Sequence, residues 1–180
     1  MWSPESYLTA LRFAAERHAG QTVPGTELPY LVHVTSVAAE VMRGLALEPM
    51  AAPDLAVTCA LLHDVVEDTA TELAEVAAGF GDPVARGVAA LSKDARLAKD
   101  EQLDDSLRRI RDCPREVWAV KLADRITNLQ PPPIRWTADK RRRYQAEARR
   151  IHAALAGGHA ALGERLAEMI ERYTAYLEPA

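Results

Sequence analysis

The sequence predicts an all-α protein, a single domain spanning residues 1–180 and built as a bundle of about eight or nine helices. Three observations carry that expectation. Alanine and leucine are abundant while isoleucine and phenylalanine are sparse, a composition that favours helices over strands. Apolar residues recur at three- and four-residue intervals through most of the chain, the period of a helix with one buried face. A length of 180 residues suffices for one well-buried domain and is short for two.

Ser3-Pro4-Glu5 opens the first helix, with serine as N-cap and proline in the first helical position. Tyr7, Leu8, Leu11, Phe13, Ala14 and Ala15 carry it to His18, and it ends near Gly20. Gln21 to Pro29 holds two prolines and Gly25, which break regular structure, so this stretch reads as a loop and a candidate ligand wall. The second helix has His33 near its start, just after Tyr30, and buries Val34, Val37, Ala38, Val41, Met42 and Leu45. Pro49 and Pro53 bracket a turn into the central helix, Leu55 to Leu62, which is apolar or small on nearly all sides and must run through the core.

Thr71 to Phe80 predicts a short helix stopped by Gly79 and Gly81, and Asp82-Pro83 caps another carrying Val84, Val88 and Leu91. Ser92 to Arg111 is rich in charge and reads as a solvated helix face, although Lys93 and Lys99 are placed to reach a phosphate. Cys113-Pro114-Arg115 begins a helix that packs through Val117, Val120, Leu122, Ala123, Ile126 and Leu129, with Lys121, Asp124 and Asn128 along a polar strip. Pro131 to Pro133 end it in a stiff crossing, and a long arginine-rich helix follows Trp136-Thr137. Most of its charge reads as solvated, with Arg141 and Arg143 as candidates to stabilise phosphate charge. Gly157-Gly158 separates a last amphipathic helix bearing Leu162, Leu166, Met169, Ile170, Tyr173 and Leu177.

The chemistry concentrates in His63-Asp64-Val65-Val66-Glu67-Asp68-Thr69, directly after the buried run. An imidazole and three carboxylates where water is scarce must be paired or neutralised, and a divalent cation does both. If the helix continues, His63 lies one turn before Glu67 and Asp64 one turn before Asp68, so one turn holds an ion while the next handles water. The alternative is a helix C-terminus with solvated carboxylates, Asp68 or Thr69 capping the next helix. His-Asp immediately after a buried run favours the metal reading. A metal needs more ligands, and His33 and Asp124 are the candidates; alone, His33 would read as structural and Asp124 as an exposed partner of Lys121 or Arg125. Two imidazoles and two carboxylates suit one divalent ion, manganese first among zinc, iron and magnesium. Such an ion acidifies water and neutralises phosphate charge while a carboxylate accepts the proton, which is metal-assisted hydrolysis.

Composition narrows the setting. A formal charge of −4 speaks against general nucleic-acid binding, though not against a local basic groove. The N-terminus lacks a basic region followed by an apolar one, and no stretch of about 20 residues is free of charge. Cys59 and Cys113 have neither metal nor disulfide spacing, and Cys59 reads as a small core residue. A cytoplasmic protein with no membrane segment is expected, and no oligomer is assigned.

With these passages assembled, the chain resembles the HD-domain metal-dependent phosphohydrolases, and more closely the hydrolase domain of the RelA/SpoT proteins and the small alarmone hydrolases. The resemblance covers most of the chain. It rests on Phe13 to Gln21, Pro29 to His33, Ala60 to Thr69, Phe80-Gly81, Lys121 to Leu129 and, more weakly, Trp136 to Tyr144. His-Asp-x-x-Glu-Asp-Thr together with Leu-Ala-Asp-x-x-x-Asn-Leu is the specific combination. The resemblance implies an HD fold and one divalent ion, usually manganese, on His33, His63, Asp64 and Asp124. It implies that Glu67 and Asp68 position or deprotonate the attacking water and that Asn128 and Tyr144 line the nucleotide site. The implied reaction removes the 3′-pyrophosphate of guanosine tetra- or pentaphosphate, the alarmone of the stringent response, and with no synthetase domain following, the chain is expected to act alone. One departure bears on the substrate: where the family carries basic residues after the glutamine of the first loop, this chain has Thr22-Val23. A phosphohydrolase of the same fold acting on another nucleotide, and a non-catalytic nucleotide-binding HD protein, are the alternatives.

Overall fold

The central helix is the frame of the molecule. In the computed structural model, which describes residues 1–177, α3 (Pro53–Leu62) has proline in its first turn and buries every side chain from Ala56 to Leu62. Burying a leucine or valine of this kind contributes about 1.5–3 kcal/mol, so a helix apolar all round is stable only with neighbours on every side. Four supply them: α1 (Pro4–Arg17), α2 (Leu31–Leu47), α6 (Asp82–Leu91) and α8 (Arg115–Asn128) all pack on α3, and α2 and α8 also pack on each other. The result brings the start of α2, the end of α3 and the second half of α8 together.

The remaining elements are α4 (Val65–Asp68), α5 (Leu73–Phe80), α7 (Gln102–Arg111), α9 (Ala138–Leu155) and α10 (Ala160–Tyr173), with 3-10 turns at Ala156–Gly158 and Thr174–Tyr176. Among the described residues nine helices have eight residues or more and α4 is a single turn, so the architecture is all-α as the sequence predicts. The described residues form no strand; Thr22 and Pro29 meet in one isolated antiparallel bridge that closes the loop 21–29. No helix among them is long and apolar enough to cross a membrane.

Local chemistry explains most boundaries. Ser3 Oγ accepts from the Ser6 amide at 3.1 Å with Pro4 opening the helix, and Thr137 Oγ1 caps α9 through the Lys140 amide at 3.2 Å. One alternative and two expectations are corrected. The start of α5 is capped by Glu72, whose side chain pairs reciprocally with Glu75 in a capping box, and not by Asp68 or Thr69. Thr69 instead turns back, its hydroxyl donating to the Val65 carbonyl at 2.5 Å. Asp82 is the first residue of α6 and makes no cap; the reversal between α5 and α6 is made by Gly81, whose φ of 83° is open to glycine. The charged stretch from Ser92 is helical only from Gln102, and α7 is not wholly solvated, because Ser106, Leu107 and Ile110 are buried. That face meets α6, and Ser106 Oγ donates to the Ala90 carbonyl at 3.0 Å.

Candidate metal centre

The central helix stops at Leu62, and the chain turns through His63 and Asp64 before α4 restarts it. The sequence expectation of one continuous helix is therefore corrected, with a consequence for which side chains align. His63 points inward, 3% exposed, with Nδ1 2.8 Å from the Ala60 carbonyl. Nδ1–H donating to that carbonyl leaves Nε2 to face the cluster, the arrangement that orients a ligating histidine. Glu67 is not on the same edge: both of its oxygens are taken by Lys93, Oε2 accepting from the backbone amide at 2.8 Å and Oε1 from Nζ at 2.6 Å. Asp64 and Asp68 do align, and both accept from the Tyr30 hydroxyl, at 2.5 and 3.1 Å.

Four side chains from three separated segments converge around His63. His33 Nε2, from the first turn of α2, stands 3.3 Å from His63 Nε2 and 3.4 Å from Asp64 Oδ2. His63 Nε2 is 2.9 Å from Asp64 Oδ2. Asp124 Oδ1, from α8, is 3.6 Å from His33 Nε2 and 3.8 Å from His63 Nε2. Of the four, His33, His63 and Asp64 form the tightest set, with one ligand atom each lying within 4.8 Å of the others. In a coordination shell with bonds of about 2.1 Å, neighbouring ligand atoms stand roughly 3.0–3.5 Å apart. The spacings observed are close to that, and a donor set of two imidazoles and two carboxylates fits a divalent cation.

The electrostatics favour positive charge at the same point. Burial by itself would lower the pKa of His63, yet the charges of Asp64 and Asp124, with the hydrogen bond from Asp64, carry it up to about 9. Burial works against both carboxylates too, but His63 and His33 hold Asp64 well below the usual carboxylate range. Lys121 and His63 bring Asp124 to about 2. A potential that raises a buried histidine this far also stabilises a cation. Asp124 is further fixed by Lys121 Nζ on Oδ2 at 3.0 Å and by Asn128 Nδ2 on Oδ1 at 2.5 Å. It is thus buried, 6% exposed, and paired with Lys121 at the same time. Asp68 is different: desolvation and the charge of Asp64 push its pKa up, in the direction that suits a group taking a proton.

Of the residues singled out for substrate, Asn128 joins the centre through Asp124, whereas Lys93 is paired with Glu67 and feels the cluster only through the charges of Asp124 and Asp64. Tyr144 lies beyond it on α9, one face covered by the Arg125 guanidinium at 4.4 Å and its edge against Trp136 at 5.0 Å, with burial pushing its hydroxyl up to about 12. Lys99 and Arg143 are exposed, and Arg141 donates to the Tyr176 carbonyl at 3.2 Å; none of the three has a hydrogen bond or ion pair to the cluster among the described residues. Tyr30 and Arg125 were not legible as site residues. Tyr30 carries one sequence signal, its place three residues before His33 at the start of α2, whereas no spacing rule links Arg125 to Tyr144 nineteen positions on.

Known proteins are similar to this chain in sequence and fold. An HD domain family model matches residues 10–160. The zebrafish (Danio rerio) guanosine-3′,5′-bis(diphosphate) 3′-pyrophosphohydrolase MESH1 is 34% identical over 167 residues, covering 90% of this chain and 91% of that protein. Its Xenopus tropicalis counterpart is 32% identical over 167 residues, with the same coverage of 90% and 91%. A solved structure, described as a metazoan orthologue of SpoT that hydrolyses ppGpp and plays a role in starvation responses, superposes with a TM-score of 0.82 at 28% identity over 99% of both chains. A centre built from His33, His63-Asp64 and Asp124 in an all-helical frame, matched along almost its whole length, means that the chain belongs to the HD domain family and is a homologue of the MESH1 proteins.

Proposed function

We propose that the protein is a manganese-dependent hydrolase that removes the 3′-pyrophosphate of guanosine tetra- or pentaphosphate, leaving GDP or GTP and pyrophosphate. The observation that carries the reading is the meeting of His33 Nε2, His63 Nε2, Asp64 Oδ2 and Asp124 Oδ1, with neighbouring spacings from 2.9 to 3.8 Å. Relatives with that activity in their names extend over nine-tenths of the chain. A divalent ion held by these four groups supplies Lewis acidity toward a phosphate oxygen and makes water a stronger acid.

The chain's own residues do the rest. Asp68, on the turn after Asp64, orients the attacking water and accepts its proton, with Glu67 beside it as the second water-handling carboxylate. Lys93, whose ammonium is half-exposed and feels the charges of Asp124 and Asp64, meets the phosphate chain. Asn128, which holds Asp124, and Tyr144 line the nucleotide site. Lys99 and Arg143 are exposed charge to attract a polyanion, and Arg141 on α9 is half-buried against the Tyr176 carbonyl.

Metal-loaded protein incubated with guanosine tetraphosphate and a panel of common nucleotides tests the reading through its products. Pyrophosphate from guanosine tetraphosphate supports it; orthophosphate, or turnover only of another nucleotide, supports a phosphohydrolase of different specificity. That second reading is favoured by the loop 21–29, where Thr22 is used in the bridge to Pro29 and Val23 pairs with the Leu28 carbonyl at 2.9 Å, so neither brings positive charge. A non-catalytic nucleotide binder would have no use for the Glu67-Asp68 pair, and equal, undetectable turnover by native and Glu67→Ala protein would favour it.

A further inference from the structure

Tyr30 has partners for its backbone, its ring and its hydroxyl at once. Its amide donates to the Gln21 carbonyl at 2.9 Å, and its own carbonyl accepts from the His33 amide at 2.9 Å and the Val34 amide at 3.4 Å at the start of α2. The ring, 7% exposed, lies between the rings of His18 at 4.7 Å and His33 at 5.2 Å. His18 is fixed in turn by Gln21, Oε1 to Nδ1 at 2.7 Å. All of this aims one hydroxyl at two carboxylates four residues apart, Asp64 Oδ2 at 2.5 Å and Asp68 Oδ2 at 3.1 Å. Asp64 has other partners in His33 and His63. For the Asp68 side chain, Tyr30 is the one hydrogen-bond partner among the described residues, and the helix that carries Asp68 is a single turn.

We infer that Tyr30 is a positioning residue that sets the Asp68 carboxylate against the metal centre. The inference rests on the proposed role of Asp68. A side chain on a one-turn helix has two free torsions and little packing to fix them. A buried phenol whose backbone and ring are both pinned supplies the missing constraint, and sharing its oxygen with Asp64 registers Asp68 to a ligand of the ion. The donor is neutral and the acceptor charged, a class of hydrogen bond whose loss costs about ten- to hundredfold in the step that depends on it.

Tyr30→Phe removes only the oxygen and keeps the ring between the two histidines. Manganese affinity is expected to stay within about threefold of native protein and KM within about twofold, while kcat on guanosine tetraphosphate falls ten- to hundredfold. In the Asp68→Asn background the same change is expected to cost less than about threefold further, because the group being positioned is already disabled. Full multiplicative loss in that background, or loss of manganese binding as severe as in His63→Ala, overturns the inference. Should native protein turn over no nucleotide, the proposed function fails by itself. A crystal structure of manganese-loaded Tyr30→Phe then decides the tether: Asp68 displaced with Asp64 in place supports it, and both carboxylates unmoved overturns it.

Discussion

His63 and Glu67 stand four positions apart and are held by opposite kinds of contact. His63 is sunk among other site groups, whereas the Glu67 side chain is 22% exposed and, among the described residues, tied only to Lys93. Removing them therefore has different consequences. His63→Ala deletes a nitrogen that lies against His33, Asp64 and Asp124, so metal content and activity are expected to vanish together. Glu67→Ala leaves His33, His63, Asp64 and Asp124 untouched; metal content is expected to remain stoichiometric while kcat falls by about 10²–10⁴, the range for loss of a proton-handling group. Metal analysis of the purified variants beside their turnover separates the two, and full occupancy and speed in both would mean that the roles are misassigned. The clustering of these four side chains was legible because His-Asp after an apolar run is chemically costly and the need for further partners points to His33 and Asp124. The Tyr30 contacts to Asp64 and Asp68 span 34 and 38 residues, and periodicity reports neighbours on one helix, not partners across a loop.

At the scale of elements, apolar period and proline position placed the helices well, from Pro4 opening α1 to the buried run of α3. The break at His63-Asp64 was not legible, since neither residue is a helix breaker; it is made by the tertiary pull on both side chains, His63 toward Ala60 and His33, Asp64 toward Tyr30. Close approach between helices was equally hidden. α6 meets α3 and α8 at Gly87, where a β-carbon would lie 2.7 Å from Cys59 Sγ and 3.1 Å from Val117 Cγ2. Cys59 is fully buried and its short side chain has no room to withdraw. Gly87→Ala is expected to destabilise the protein by about 1–2 kcal/mol, overpacking outweighing the gain of about 1 kcal/mol in helix propensity. Urea unfolding measures it. Adding Cys59→Ala, which removes the clashing sulfur, is expected to recover at least about 1 kcal/mol, a coupling that two independent substitutions would not show.

For the molecule as a whole, the centre joins three parts of the chain that the core alone brings near: the start of α2, the turn after α3, and α8. An ion that binds all three binds the folded chain and not the unfolded one, and so stabilises it by mass action. At a free metal concentration of about 100 times Kd the gain is about 2.7 kcal/mol. For a chain of this length that corresponds to a rise in Tm of roughly 5–10 °C. Native protein stripped with a chelator is therefore expected to melt that much lower than the same protein with manganese restored, and the difference should grow with the logarithm of metal concentration. His63→Ala and Asp124→Ala are expected to show no such rise, because each removes a tie between segments, whereas Glu67→Ala should show the native shift. A melting temperature of native protein indifferent to manganese, zinc, iron and magnesium alike would mean that the four groups pair with one another and hold no ion, and metal-assisted hydrolysis would lose its basis.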